Sequence, residues 1–202
     1  MDHRVAILRP RFQQDDAGAA DAGSAERVPA GFDAQRSARS KRYVYRLWNA
    51  RHRSPLRAAQ AAHVPRPLDL EAMRRAAADL CGEHDFSAFR AAGSTVRTSV
   101  RRLTRIGIEG EPGGEIRLIF EGEGFLRHMV RNLVGTLLEV GHGRRAPDSM
   151  PALLAGRDRG LAGPTAPAHG LCLEAVAYAV PAPEATATGG ATARHSTEKS
   201  NA

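Results

Sequence analysis

Apolar and polar residues alternate in several separate stretches of this 202-residue chain, and each such stretch predicts a β-strand. In "RYVYRLW" the alternation places Tyr43, Tyr45 and Leu47 on one face. The opposite face has Arg42, Val44, Arg46 and Trp48, and its two arginines make it the charged face. "VRRLTRIGIE" and "EIRLIF" predict two further strands joined by "GEPGG", whose proline and glycines favour a hairpin connection, and "LCLEAVAY" predicts a last strand.

Other stretches repeat their apolar residues every three to four positions, as helices do. "PLDLEAMRRAAADLCG" predicts a helix capped by Asp69 and ended by Gly82, and "DFSAF" predicts a helical turn capped by Asp85. "PDSMPALLAG" predicts a short capped helix, and "GFLRHMVRNLVGTLLEVG", residues 124–141, predicts a helix packed on a core. The element order therefore predicts an α+β fold in which helices pack against a largely antiparallel sheet.

Composition divides the chain into three parts. Residues 13–27, "QQDDAGAADAGSAER", are small and polar, so 1–27 is expected to be an extension with a loop. From Pro181 onward the chain is rich in Pro, Ala, Thr and Gly and has no periodicity, which predicts a disordered tail over 181–202. A single folded domain is expected over 28–180.

The helix predicted over 124–141 contains two arginines that need an explanation. At about 100° per residue, its apolar residues centre on one side and His128 and Asn132 fall on the opposite, surface side. Arg127 and Arg131 lie on the flank between them. Boundary arginines often lay their stems along apolar surface with the charge in water, but a rigid helix could equally hold them toward a protected anion. The pattern alone leaves both interpretations open.

Positive charge is concentrated in one segment. The chain carries a net charge of +7, yet residues 34–68 contain nine arginines and lysines and no acid, so the rest sums to −2. Aromatic residues are interleaved with this charge in "KRYVYRLW". Such a block favours a polyanion-binding surface, with nucleic acid as the expected partner, over a merely solvated strand edge.

Other classes of protein are disfavoured by simple features of the sequence. No apolar run is long enough for a membrane span, and "MDHRVAILRP" does not resemble a signal peptide. Cys81 and Cys172 are far apart and are expected to be small buried residues of a reduced, cytoplasmic protein. No Cys-x-x-Cys or His-x-Glu spacing is present, so zinc is not expected.

Four stretches together resemble a known family. "VPAGFDAQRSARSKRYVYRLWN", "LCGEHDFSAFR", "EGFLRHMVRNLVGTLLEVGHGRR" and "RDRGLAGPTAPAHGLCLEAVAY" are similar, in this order, to the C-terminal part of TruA-type tRNA pseudouridine synthases. The similarity runs from about Val28 to Tyr178 and includes the "GPTAPAHGL" signature.

The resemblance implies a cytoplasmic isomerase that converts uridine to pseudouridine at positions 38 to 40 of the tRNA anticodon stem-loop, with no cofactor and no metal. It implies an aspartate that attacks the nucleotide, a flipped-out base, and a positive groove for the tRNA backbone. It also implies the pseudouridine synthase fold and a homodimer.

The same resemblance assigns roles to individual residues. Arg131, in "HMVRN", matches the basic residue that pairs with the catalytic aspartate, and a guanidinium there would keep that carboxylate ionised. Tyr43 matches the tyrosine that contacts the target base, although the pattern alone would make it an ordinary core aromatic. The remaining implied substrate contacts are basic: Arg39, Lys41, Arg42 and Arg90.

One departure from the family concerns the nucleophile. The family's aspartate lies in a "GRTDAGVHA"-like loop upstream of "GFDA", and the sequence contains no such loop. Asp-Ala-Gly occurs at Asp16 and Asp21, but neither copy has the family's flanking residues. A smaller departure is Gln35-Arg36 within "FDAQRSA". The expected explanation is an N-terminally incomplete synthase; the alternatives are a non-catalytic RNA-binding module and one half of a split enzyme.

Overall fold

A computed structural model of the chain describes residues 31–91, 93 and 96–178. The strands are β1 (Ala38–Trp48), β2 (Ala62–His63), β3 (Gly82–Asp85), β4 (Val100–Gly110), β5 (Glu115–Gly122) and β6 (Leu171–Tyr178). The helices are α1 (Leu70–Ala78), α2 (Met129–Gly141) and α3 (Met150–Gly156), with short 3-10 turns between elements. The expectations for residues 1–27 and 181–202 lie outside the described residues.

In this part of the chain the six strands form one sheet in the order β2-β1-β5-β4-β3, with β6 also paired to β1. Every pairing is antiparallel except that of β1 with β2. β6 and β2 share the same edge of β1: β6 pairs with Ala38–Tyr45, and β2 pairs with Leu47 and Trp48. The predicted α+β class with a largely antiparallel sheet is confirmed.

The helices cover one face of this sheet and enclose the core. Fully buried residues of β1 and β5 contact apolar residues of α1 and α2 there. The core side chains buried to less than 2% exposure include Tyr45, Leu47, Ile116, Leu118, Phe120, Met73, Leu80 and Met129. Each such side chain contributes roughly 1.5–3 kcal/mol relative to full exposure, so this face is the main source of stability.

The sequence predicted the start of α1 correctly and its end incorrectly. The Asp69 carboxylate accepts a hydrogen bond of 2.9 Å from the Ala72 amide, as predicted for a helix cap. The helix ends at Ala78, four residues before Gly82, so the prediction that Gly82 ends it was wrong. Gly82 instead opens the unpredicted strand β3 with a φ of 105°, a conformation that favours glycine.

The helix predicted over 124–141 begins only at Met129. Residues 124–126 have no regular secondary structure, residues 127 and 128 form a turn, and His128 adopts the left-handed conformation with a φ of 62°. Asn132 is 1% exposed, so its predicted surface position was wrong. The wheel failed because it assumed that the whole stretch is helical and that a polar residue must face water, whereas Asn132 faces hydrogen-bonding partners inside the protein.

The cysteine prediction was also wrong in part. Cys81 is half-buried, and Cys172 is exposed on β6, next to Leu173, which is 48% exposed. β6 lies at an edge of the described sheet and pairs with β1 on one side only, so its side chains have fewer neighbours than those of a central strand.

Candidate nucleic-acid interface

The N-terminal end of α2 lies where the sequence predicts an anion-binding arginine. The left-handed His128 turns the chain sharply into the helix. Among the described residues, no side chain caps this end and no acid lies in its first turn. The free amide ends of a helix carry partial positive charge, so this end is already favourable to an anion before any side chain is considered.

Arg131 lies in that first turn and is anchored by the backbone of the segment 163–170. Its Nε donates a hydrogen bond of 2.6 Å to the Ala166 carbonyl oxygen, and the Ala166 amide donates one of 3.1 Å to the Arg131 carbonyl. The side chain is half-buried. These two reciprocal bonds restrain the guanidinium by one edge and leave its outer nitrogens available to a ligand. This favours the anion-binding interpretation of the helix arginine over the solvated one.

A network of polar groups centred on the buried Asn132 holds the segment 163–170 on α2. Asn132 Nδ2 donates to the Phe89 carbonyl at 2.8 Å, and its Oδ1 accepts from Thr165 Oγ1 at 2.6 Å and from Arg159 at 3.2 Å. Arg159 also donates to the carbonyls of Ala162 and Gly163. One buried amide therefore links α2 to both loops that border Arg131.

Two glycines allow the segment 163–170 to pack directly against the backbone of α2. A Cβ on Gly135, in the middle of α2, would fall on the Pro164 carbonyl oxygen. A Cβ on Gly163 would lie 2.8 Å from backbone atoms of Gly135 and Thr136. The Gly163 amide instead donates a 2.9 Å hydrogen bond to Thr136 Oγ1. Glycine is required here because any side chain would displace the segment that carries Ala166.

Two tyrosines of β1 complete the inner wall of the site. The Tyr43 ring meets the edge of the Phe125 ring with centroids 5.0 Å apart, and burial raises the pKa of its phenol. Tyr45 is fully buried and donates 2.7 Å to the Pro167 carbonyl. Burial raises the pKa of Tyr45 to about 12, opposed by the positive charge of nearby Arg131. Tyr43 is the more accessible of the two.

The predicted basic contacts divide between two faces of the sheet. Arg90 lies beside the start of α2, because Phe89 accepts from Asn132 and the Ala91 amide donates to the Arg127 carbonyl at 3.1 Å. Lys41 shares the face of Tyr43 by strand alternation, and Arg39 lies near the start of β1. Arg42 lies on the opposite face, 3.1 Å from Glu174 and 3.5 Å from Glu121. The structure therefore brings Tyr43, Arg90 and Arg131 to one end and separates Arg42 from them.

Electrostatics at this end are dominated by positive charge. Loss of solvation, then the charges of Arg131 and Arg127, lower the pKa of His128 below its ordinary 6.5. Because its pKa lies below 6.5, the His128 imidazole is mainly neutral at pH 7, and an anion bound nearby would favour its protonated form.

The sequence interpretation missed several residues of this site: Phe125, Asn132, Arg159 and Thr165. Asn132 and Thr136 are four residues apart on a helix, and Gly135 falls between them, which signals a polar, closely approached stripe. That stripe could have been identified from the sequence. Its partner in "GPT" could not, because the two are far apart along the chain.

Two other features, a metal-binding cluster and a membrane-spanning helix, are absent from the part of the chain that the structure describes. No group of three His, Cys, Asp or Glu side chains lies close enough in residues 31–91, 93 and 96–178 to hold a metal ion. In the same region no helix is both long and apolar enough to cross a lipid bilayer.

Comparison with known proteins gives a consistent result. A family model described as tRNA pseudouridine synthase matches residues 76–179. A tRNA pseudouridine synthase A from Myxococcus xanthus is 50% identical over 165 residues, which cover 82% of this chain and 62% of the relative. Proteins of the same name from Bordetella petrii and Thermus thermophilus are 49% and 48% identical, over 76% of this chain in both cases. The chain spans about three fifths of the length of these curated relatives.

Proposed function

Because the chain belongs to the tRNA pseudouridine synthase family, we propose that it acts in the isomerisation of uridine to pseudouridine in tRNA. The proposed substrate is the anticodon stem-loop at positions 38 to 40, the proposed assembly is a homodimer, and the proposed location is the cytoplasm. The observation that carries the proposal is the anchoring of Arg131 by Ala166 at the open, acid-free start of α2.

The reaction places specific demands on a protein surface. The bond between N1 of the uracil and C1′ of the ribose breaks, a bond from C5 to C1′ forms, C5 loses its proton to solvent, and N1 gains one. The base must therefore leave the stack and turn within a pocket. No redox change occurs, so positioning and charge stabilisation are what the protein must supply.

We propose that Arg131 pairs with the carboxylate that acts as the nucleophile. A guanidinium whose Nε is held by a carbonyl presents its remaining N–H groups in a fixed direction, which suits a carboxylate that must stay ionised in a partly dry pocket. Tyr43, supported by Phe125, is proposed to contact the target base, and Arg39, Lys41 and Arg90 to contact the RNA backbone. Arg42 is omitted because Glu121 and Glu174 lie beside it on the other face.

A second candidate function is RNA binding without chemistry. It is favoured by the acid-free basic block of residues 34–68, which RNA binding needs whether or not chemistry follows, and no aspartate of the given residues is assigned as the nucleophile. Asp16 and Asp21 lie outside the described residues. Asp85 is held by Ser87, Ser99 and Arg157. A split enzyme, in which another polypeptide supplies the aspartate, is distinguished by a partner that co-purifies and carries such a loop.

The test is tritium release from tRNA labelled at uridine C5, using the purified chain, together with binding of the same tRNA at two salt concentrations. Release supports isomerisation, and Asp16→Asn, Asp21→Asn and Asp85→Asn variants then locate the nucleophile. Salt-sensitive binding without release supports the second candidate. If the chain neither releases tritium nor binds the tRNA, both candidates are overturned.

A further inference from the structure

A second basic pocket lies beside the site, at a gap in the edge of β1. β6 pairs with β1 as far as Tyr45, and β2 begins to pair at Leu47. The interval at Arg46 is filled by Gly170, on which a Cβ would lie 2.9 Å from the Arg46 carbonyl oxygen. Next to this gap a cavity of about 220 Å³ opens. The residues that line it are Trp48, Arg53, Ser54, Arg57, Ala58, Ala61, His63, Pro167 and His169.

The lining of this cavity combines an aromatic ring with basic groups and contains no acid among these described residues. The Trp48 indole N–H donates 2.9 Å to the His52 carbonyl, which fixes the orientation of the ring. The Arg57 guanidinium lies 5.0 Å from the centre of that ring and is neutralised by Glu115. The Arg57 guanidinium lies over the Trp48 ring, so the two form a nearly neutral stacked pair of the kind that a base can extend by stacking.

The charge available to a ligand comes from two other residues. Arg53 and His169 are exposed, and neither forms an ion pair with another described residue. They come from separate segments, the loop after β1 and the turn before β6. A flat stacking surface flanked by an unneutralised guanidinium and an imidazole matches a nucleotide: the base on Trp48 and Arg57, the phosphate toward Arg53 and His169.

The segment 166–169 joins the cavity to the residues that hold Arg131. Ala166, which anchors Arg131, and Pro167, which lines the cavity and accepts from Tyr45, are adjacent in the chain. The segment 166–169 contains no acid, so an RNA strand that places one nucleotide at Arg131 would reach the cavity along it without meeting an acidic residue of that segment. A free nucleotide would gain nothing from this continuity, whereas a polynucleotide would bind both places at once.

We propose that the cavity between Trp48, Arg53 and His169 binds an unpaired nucleotide of the RNA substrate that neighbours the reacting one. The proposal rests on the proposed function, and it adds a contact that holds the RNA in register while the target base is displaced.

Trp48 is the sole tryptophan of the chain, so its fluorescence reports on this cavity directly. Titration of the full chain with tRNA is expected to quench Trp48 emission at the concentrations at which binding occurs. Arg53→Ala with His169→Ala is expected to weaken tRNA binding about tenfold and to lower the slope of log affinity against log salt by about 1. Arg75→Ala, which removes an exposed charge from α1, is the matched control and is expected to change neither quantity.

The possible outcomes separate this proposal from the proposed function. If tRNA binds but Trp48 emission is unchanged and the double variant binds as tightly as Arg75→Ala, the nucleotide site is wrong and the proposed function stands. Quenching by uridine monophosphate alone at equal concentration would indicate a free-nucleotide site and would also contradict it. If the unaltered chain binds no tRNA, the nucleotide site and the proposed function are both overturned. Thermal unfolding of each variant checks that the fold is retained.

Discussion

The arginines on the outer face of the sheet and those at the start of α2 are the same residue type in opposite surroundings. On the outer face, Arg42, Arg105 and Arg117 each lie within 3.6 Å of at least one glutamate oxygen. At the start of α2, Arg131 is held by a carbonyl oxygen instead, and no described acid lies within ion-pair distance of it or of Arg90 or Arg127.

The register of the sheet produces the outer arrangement. Arg42 pairs across to Glu121 and Arg117 pairs across to Glu109, so opposite charges face one another on neighbouring strands. Glu174 of β6 then reaches both Arg42 and Arg117. The outer charges largely cancel, and they stabilise the sheet locally.

These two surroundings determine where the positive charge of the chain is available to a partner. An arginine already paired with a carboxylate loses that partner when it binds a phosphate, whereas one held by a neutral carbonyl keeps its full charge for the ligand. The count of basic residues in a segment therefore overstates a binding surface. Their acidic neighbours, which only the fold reveals, decide which of them can bind.

The largest effect is expected where the segment 163–170 contacts α2. The added Cβ of Gly135→Ala would push the Pro164 carbonyl away from α2 and break the hydrogen bond between Arg131 and Ala166. The Arg131 side chain would then no longer be held in place. We expect a loss of about 3 kcal/mol in the free energy of unfolding, measured by urea denaturation.

The matched control is Gly114→Ala in the β4–β5 hairpin, where a Cβ would be 3.8 Å from the Glu111 carbonyl oxygen, an ordinary contact. It is expected to change stability by less than about 0.5 kcal/mol. Equal effects of the two substitutions would contradict the close approach described for Gly135.

The next effect concerns the buried amide that links the two loops. Asn132→Ala leaves the Phe89 carbonyl, the Thr165 hydroxyl and Arg159 each short of a partner, so a loss of about 2 kcal/mol in the free energy of unfolding is expected. Asn49 offers a control because it is 2% exposed and donates to the carbonyls of Val64 and Arg66, away from Arg131.

Asn49→Ala is expected to be destabilising as well, yet to leave tRNA affinity per folded molecule unchanged. Asn132→Ala is expected to weaken that affinity in addition, because Arg131 loses its fixed position. Affinity is measured by filter binding under conditions in which both variants are fully folded. Equal tRNA affinities for the two variants would argue against a positioning role.

A smaller effect is expected on the outer face. Arg42 is 28% exposed, and Glu174 keeps Arg117 as a partner after Arg42→Met. The substitution is therefore expected to cost at most about 1 kcal/mol of stability and to leave tRNA affinity within about twofold. Chemical denaturation and filter binding measure the two quantities. A tenfold loss of affinity would restore Arg42 to the RNA-binding surface.

The smallest effect is a pH dependence. Since the pKa of His128 is lowered below 6.5 in the free protein, the residue is mainly neutral at pH 7 and adds little charge between pH 8 and pH 7. Acidification below pH 6.5 should protonate it and strengthen tRNA binding by less than about threefold. The increase should be absent in His128→Gln. The same pH profile in both proteins would exclude His128 from the surface.

Much of the sheet could be predicted because its signals are local. The alternation of "RYVYRLW", the glycines and proline of "GEPGG" and the cap at Asp69 each act within a few residues, and each appears in the structure as β1, the β4–β5 hairpin and the start of α1. The predicted roles of Arg131 and Tyr43 came from family resemblance and remain predictions.

The rest depends on partners that are distant in sequence. Arg42 could not be placed beside Glu174 without knowing that β6 returns to β1, and Asn132 could not be recognised as buried without Thr165 and Phe89. The short strand β3 lacks an alternating pattern and is formed by its pairing with β4. These features arise from tertiary contacts that override local preference.

We expect RNA to bind at the start of α2 and not at the arginine–glutamate pairs that Arg105 and Arg117 form on the outer face of the sheet. The test compares two double variants, each of which loses two arginines. One is Arg90→Ala/Arg127→Ala and the other is Arg105→Ala/Arg117→Ala, and the tRNA binding of both is measured over a range of salt concentrations. We predict that the first pair lowers the slope of log affinity against log salt by about 2, while the second leaves it unchanged. An equal loss in both, or a loss only in the second, would contradict the account.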